Sequence, residues 1–228
     1  MKIRNRTLAL TIAMASLTVA QGIQAGTKLK DDKWKEFTPD AATQDLNVRP
    51  DSFYNLGMGL RGWTHHSNWG FVKLKKGNTV TITATTTVTD MHPGIAVWLV
   101  PQGRGITDKL WNYDHFYKQW GDIYMKDLKD ADNGDAPIPG TMKWTFITNG
   151  FDRDGMGDSL PADYDQSGVN RVLDGTVGSV SVTFTAPAKG YYKFVVGGIN
   201  PGASLIDTTS GKPKEELEKV TVTVDFPD

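Results

Sequence analysis

Residues 79–89 constrain the fold more than any other stretch of the chain. Val80, Ile82, Ala84 and Val88 fall on one face of an extended segment, and Thr79, Thr81, Thr83, Thr85, Thr87 and Thr89 fall on the other. Period-two alternation of β-branched residues is what a half-buried strand requires, because successive side chains leave opposite faces. The signal recurs in residues 179–185, with Val180, Val182 and Phe184 inward, and in 219–226, with Val220, Val222, Val224 and Phe226 inward. Residues 71–74, 143–148 (Trp144 and Phe146 inward) and 191–197 add strand candidates. Residues 95–100 are a continuous apolar run of strand length, which predicts burial on both faces. Pro93-Gly94 predicts a corner before that run, and Gly77-Asn78 a turn before Thr79. About seven short strands, with Pro and Gly between them, predict a mainly β fold. Its expected form is an antiparallel β-sandwich, immunoglobulin-like or jelly-roll, with long loops and one or two short helices.

Three regions depart from the strand pattern. Residues 26–51 are polar and charged and are interrupted by Pro39 and Pro50, so they read as an irregular arm with Trp34 and Phe37 as anchors. Within 107–132, Leu110, Tyr113, Tyr117, Trp120, Tyr124 and Leu128 recur at spacings of three and four, which predicts a helix or two broken helical turns around Gly121. Residues 130–140 and 150–178 are long loops rich in Asp, Gly and Pro, and loops of that length in a compact domain are usually functional or ordered by a metal.

The start of the chain reads as a secretory signal peptide over residues 1–25. Lys2, Arg4 and Arg6 precede an apolar run from Leu8 to Ala20, and Ile23-Gln24-Ala25 can serve as a cleavage site, with Ala20 as the alternative. The remainder, residues 26–228, is of single-domain size. Removing the leader takes three of the 25 basic residues and none of the 26 acidic ones, leaving a net charge of about −4. That balance disfavours nucleic acid as a partner, since phosphate binding needs a basic face. The chain has no cysteine, which suits an oxidising compartment, the periplasm or the outer cell surface.

Without thiolates, a soft-metal site must be built from imidazole, oxygen, thioether or an aromatic face. The four histidines are His65, His66, His92 and His115. Two lie in Arg61-Gly62-Trp63-Thr64-His65-His66-Ser67-Asn68-Trp69, where an extended backbone sends Trp63 and His65 to one face and His66 to the other. His115 sits in the most aromatic stretch, Trp111-Asn112-Tyr113-Asp114-His115-Phe116-Tyr117, with Asp114 as a candidate partner for its ring N–H. Met91-His92 offers soft ligands, although a turn histidine before Pro93 explains His92 more simply. Zinc prefers three or four ligands, whereas monovalent copper accepts two or three, so this histidine set fits copper better. On residue types alone, His65 and His115 either share a metal or stand as solvated side chains.

A Trp-x-His element in an exported, cysteine-free, β-rich chain with a distant second histidine resembles the MopE/CorA-type copper-repressible surface proteins of methane-oxidising bacteria. The resemblance covers the leader, the domain size and the strand content as well as the motif. It implies a copper-binding protein for copper acquisition or storage at the cell surface, with one Cu(I) held by two histidines and a kynurenine made from the motif's tryptophan. Carried over, Trp63 is the candidate kynurenine, His65 the first histidine, and His115 the second, with His92 as the fallback.

The acidic segment Asp152-Arg153-Asp154-Gly155-Met156-Gly157-Asp158 carries a second metal expectation. Asp152, Asp154 and Gly157 match positions one, three and six of an EF-hand loop, but Met156 and Asp163 break the pattern. A calcium site of looser design on Asp152, Asp154 and Asp158 stands beside solvated loop carboxylates as the alternative. Calcium would support a different function, a β-sandwich recognition module binding carbohydrate or protein through Trp111, Tyr113 and Trp120. No cysteine nucleophile, Gly-x-Ser-x-Gly elbow or phosphate-binding glycine loop is present, so an enzyme is not expected.

Overall fold

The computed structural model describes residues 34–48, 69–100, 122–125, 142–155, 170–199, 208–209 and 217–227. Its strands are β1 (Trp34–Phe37), β2 (Thr43–Val48), β3 (Trp69–Leu74), β4 (Thr79–Thr85), β5 (His92–Leu99), β6 (Ile123–Met125), β7 (Met142–Asp152), β8 (Arg171–Val172), β9 (Ser179–Thr185), β10 (Gly190–Ile199) and β11 (Glu218–Asp225). They form two packed sheets. The larger has the order β1-β3-β10-β5-β7-β6, with β8 added to β7, and the smaller has the order β2-β11-β4-β9. This is the expected mainly β sandwich. Its pairings are antiparallel except for β1 with β3 and β8 with β7, which are parallel.

Alternation decides what lies between the sheets. Val80, Ile82 and Ala84 of β4, Val180, Val182 and Phe184 of β9, and Val220, Val222 and Val224 of β11 meet Val72, Ile95, Val97, Tyr192, Phe194 and Val196 of the larger sheet in one core cluster. Phe194 is seated over Gly70, where a Cβ would lie 2.0 Å from the ring. Only glycine lets β3 and β10 stay paired with that ring between them and the smaller sheet. Tyr192 closes the sandwich at its β9–β10 corner. Its phenol donates to the Ala188 carbonyl at 2.7 Å and accepts from the Ala188 N–H at 3.3 Å, a tie-back of the kind found at tyrosine corners. Burial pushes the Tyr192 pKa above its ordinary value.

Several expectations need correction. Residues 26–51 are not all irregular: β1 and β2 lie there, because Phe37, Leu46 and Val48 find core partners. Pro93-Gly94 is no corner but part of β5, facing Gly198 and Gly197 of β10. Within the segment expected to be helical, Ile123–Met125 is strand β6, held by pairing with residues 142–144 of β7. The rest of that segment, except Asp122, lies outside the described residues. Trp144 and Phe146 share a face, but it is the one turned away from the smaller sheet: Trp144 lies against Lys193 and Phe146 against Trp98.

The short connections, 38–42, 75–78, 86–91, 173–178 and 186–189, contrast with 49–68, 100–122, 126–141, 153–170 and 200–217. Three of the long connections, 100–122, 126–141 and 153–170, have both ends on strands of the larger sheet, and none of the short ones does. Trp63 and His65 fall in the connection that enters β3, and His115 falls in the one that leaves β5.

Candidate metal centre

Of the residues singled out in the sequence, His92, Asp152 and Asp154 are described; Trp63, His65, His66, His115 and Asp158 lie outside the described residues. His92 opens β5. Its Nδ1 lies 2.9 Å from Oδ2 of Asp152, sixty residues away at the end of β7, and the carboxylate is fully buried. Chain topology makes this pair: β5 and β7 run antiparallel, so the first residues of one meet the last residues of the other. A turn histidine would be solvated, whereas this ring is buried and held by a carboxylate. With Nδ1–H donating to Asp152, a neutral ring carries its lone pair on Nε2, the arrangement in which metal-binding histidines are usually oriented.

Asp152 is the knot at this end of the sandwich. Oδ2 also accepts from the Gly178 N–H at 2.7 Å, and Oδ1 from the Asp154 N–H at 2.9 Å. Gly178 leads into β9, so one carboxylate ties β5, β7 and the smaller sheet together. Gly178 has φ of +81°, and a Cβ there would meet the Thr86 carbonyl oxygen at 2.8 Å, so the tie depends on glycine. Asp154 repeats the device outside: its Oδ2 accepts from the Asp174 and Gly175 N–H groups, each at 3.0 Å. Two of the three calcium candidates therefore act as acceptors that close loops. Among the described residues no three His, Asp or Glu side chains gather to hold a metal.

The outer face of the larger sheet holds a cluster that strand alternation alone did not reveal. Trp69, Trp98, Trp144 and Lys193 are fully buried there. Lys193 places its ammonium 4.0 Å from the Trp69 ring centre and 4.7 Å from that of Trp144. Trp69 and Trp98 lie 6.1 Å apart. In the sequence, Lys193 alternates with Tyr192 and Phe194, which marks the face opposite the core. Such a face is normally wet, and only the tryptophans on neighbouring strands hint that this one is not.

The family comparison decides what kind of chain this is. A model described as "Copper(I)-binding protein CorA-like" matches residues 24–206, a span that includes all four histidines. The chain belongs to that family. Among solved structures, this CorA-like chain is similar to CorA of Methylomicrobium album BG8, described as a surface-associated copper-binding protein important in copper acquisition. The two are 46% identical, with a TM-score of 0.68, covering 85% of this chain and 98% of that one. It also shares its fold with MopE, a secreted protein of Methylococcus capsulatus in which an oxidised tryptophan facilitates copper binding. There the identity is 18% and the TM-score 0.50, covering 81% of this chain and 84% of that one. No match is found among curated proteins.

Proposed function

We propose that this chain is an exported copper-binding protein that takes up copper at the cell surface for acquisition or storage. The observation that carries the proposal is the family match over residues 24–206, together with the similarity to CorA over nearly all of CorA's length. The absence of cysteine agrees with it, because imidazole then becomes the strongest soft-metal donor the chain owns.

The ligands we assign are His65 and His115, holding one Cu(I), with Trp63 beside them as kynurenine or as an aromatic wall. Both segments hang from neighbours of β10, one entering β3 and one leaving β5. His92 remains the competitor for the second position. Register sets Trp69 opposite Val195 and Val195 opposite Ala96, and His92 lies four residues further toward the end from which the Trp63–His65 segment enters. Its Asp152-oriented ring is chemically suited to ligation.

Metal analysis of protein from its own host should find copper near one per chain. His65→Ala and His115→Ala should each abolish tight binding, and His92→Ala should not. Retention of copper by the His65/His115 double variant would remove the assignment. Acidification through the imidazole range, around pH 6, should release the metal. A peptide containing residue 63 should show the mass of kynurenine, a gain of two oxygens and loss of one carbonyl. Secreted material should begin at Gly26; an intact Met1 terminus would exclude cleavage of residues 1–25. Calcium at Asp152, Asp154 and Asp158 is the weaker metal proposal, because backbone N–H groups already occupy the first two carboxylates. Calorimetric titration of metal-free protein with calcium decides it.

A further inference from the structure

Copper that cycles in the presence of peroxide is hazardous to tryptophan. Monovalent copper reduces peroxide to hydroxide and hydroxyl radical and becomes divalent. The radical takes one electron from an indole, becoming hydroxide and leaving an indole radical cation, which loses its N–H proton and combines with dioxygen. This chain has seven tryptophans, and Trp69 stands only four residues after His65. The Trp69–Trp98 pair, with ring centres 6.1 Å apart, offers a route along which such a hole could spread into the fold.

Lys193 sits where it would oppose that spread. Its ammonium lies against the faces of Trp69 and Trp144 at 4.0 and 4.7 Å, and all three side chains are fully buried. A cation over an indole is attracted to the electron-rich face of the neutral ring. Removing an electron from that ring would set two positive charges side by side where solvent screening is weak, and the attraction becomes repulsion. We infer that Lys193 protects Trp69 and Trp144 from one-electron oxidation.

The test supplies its own oxidant, so it does not depend on where copper binds. Sulfate radical from photolysed persulfate takes one electron from an indole and becomes sulfate. Oxygen addition is then read by mass spectrometry on peptides containing Trp69, Trp98 and Trp144. In the parent, Trp69 and Trp144 should be less oxidised than in the neutral variants; Lys193→Gln serves as a second neutral variant where Lys193→Met does not fold. Lys193→Met keeps the stem and loses the charge, and should raise oxidation of Trp69 and Trp144 on the order of tenfold. Lys193→Arg keeps the charge and should stay at the parent level. Unchanged yields in Lys193→Met overturn the inference. So does a rise accompanied by greater acrylamide quenching, because the protection would then be burial and not charge.

Discussion

Along β4 buried residues alternate with more exposed ones, whereas seven of the eight residues of β5 are buried. The strands are alike in length but not in composition: β4 carries threonine at every second position and β5 carries none, and the difference follows from what they face. The smaller sheet packs one side on the core and presents the other as a lattice of hydroxyls, in which Thr79, Thr81 and Thr83 pair across to Thr185, Thr183 and Ser181 at 2.8 Å. The larger sheet packs one side on that core and buries Trp69, Trp98, Trp144 and Lys193 on the other. Three of the long connections, 100–122, 126–141 and 153–170, join strands within the larger sheet, and none joins strands within the smaller one. The smaller sheet thus has one packed face and one wet face, and the larger sheet has two packed faces.

The comparison breaks most directly on Trp98. If the outer face of the larger sheet is true interior, Trp98→Ala should destabilise by about 3–5 kcal/mol, as core aromatics do. Thr81→Ala, on the outer face of the smaller sheet, should cost about 0.5 kcal/mol or less. Denaturant unfolding of the two variants measures both, and similar small losses would mean that the two outer faces do not differ.

Next in size is the tie between the sheets. Asp152→Ala strands the buried N–H of Gly178 and frees the His92 ring, with an expected loss of about 1–3 kcal/mol. Hydrogen exchange should then quicken at the starts of β5 and β9 and not at the β9–β10 corner. Uniform acceleration would show that Asp152 does not act locally.

Legibility in the sequence divides along the same line. β4, β9 and β11 announce themselves because a sheet with one wet face must alternate. The double burial of β5 was also legible, as an unbroken apolar run. β1 and β2 were not, since β2 buries only Leu46 and Val48 among polar residues and gains its order from pairing with β11. β6 was obscured by aromatic spacing of three and four, which tertiary pairing with β7 overrides. The family was legible as a resemblance, carried by Trp63-Thr64-His65 in a cysteine-free chain rich in strand signals. The partnership of His92 with Asp152 was not, because nothing local links residues sixty apart. The burial of Lys193 was equally hidden, since a lysine in alternation normally marks a solvated face.

Alkaline pH gives a smaller effect on the core side of the larger sheet. The Tyr192 pKa is raised by burial, so the folded state resists losing the phenolic proton that the unfolded chain gives up at around pH 10. Stability from this residue is therefore complete below the unfolded value and falls as pH rises above it. Tyr192→Phe should cost about 0.5–1.5 kcal/mol at neutral pH through the lost Ala188 bonds, and should flatten the alkaline limb. An alkaline limb as steep as the parent's would assign that dependence to other groups.

The smallest effect belongs to the wet face of the smaller sheet. Asp45 on β2 is exposed, yet its pKa is held below the ordinary aspartate value, chiefly by the hydroxyl of Thr221 at 2.8 Å and also by Lys219 at 3.3 Å. The direction fixes the sign. A carboxylate whose folded pKa is depressed contributes stability above its unfolded value, near pH 3.9, and loses it as pH falls through the lower folded value. Thr221→Val keeps the β-branched shape and removes the hydroxyl, so the Asp45 pKa should rise toward the ordinary value in a carboxyl NMR titration. The melting temperature at neutral pH should stay at that of the parent, because solvent screens an exposed pair. A clear drop in melting temperature at neutral pH would mean that the outer face of the smaller sheet carries stability after all, and the contrast between the two sheets would have to be redrawn.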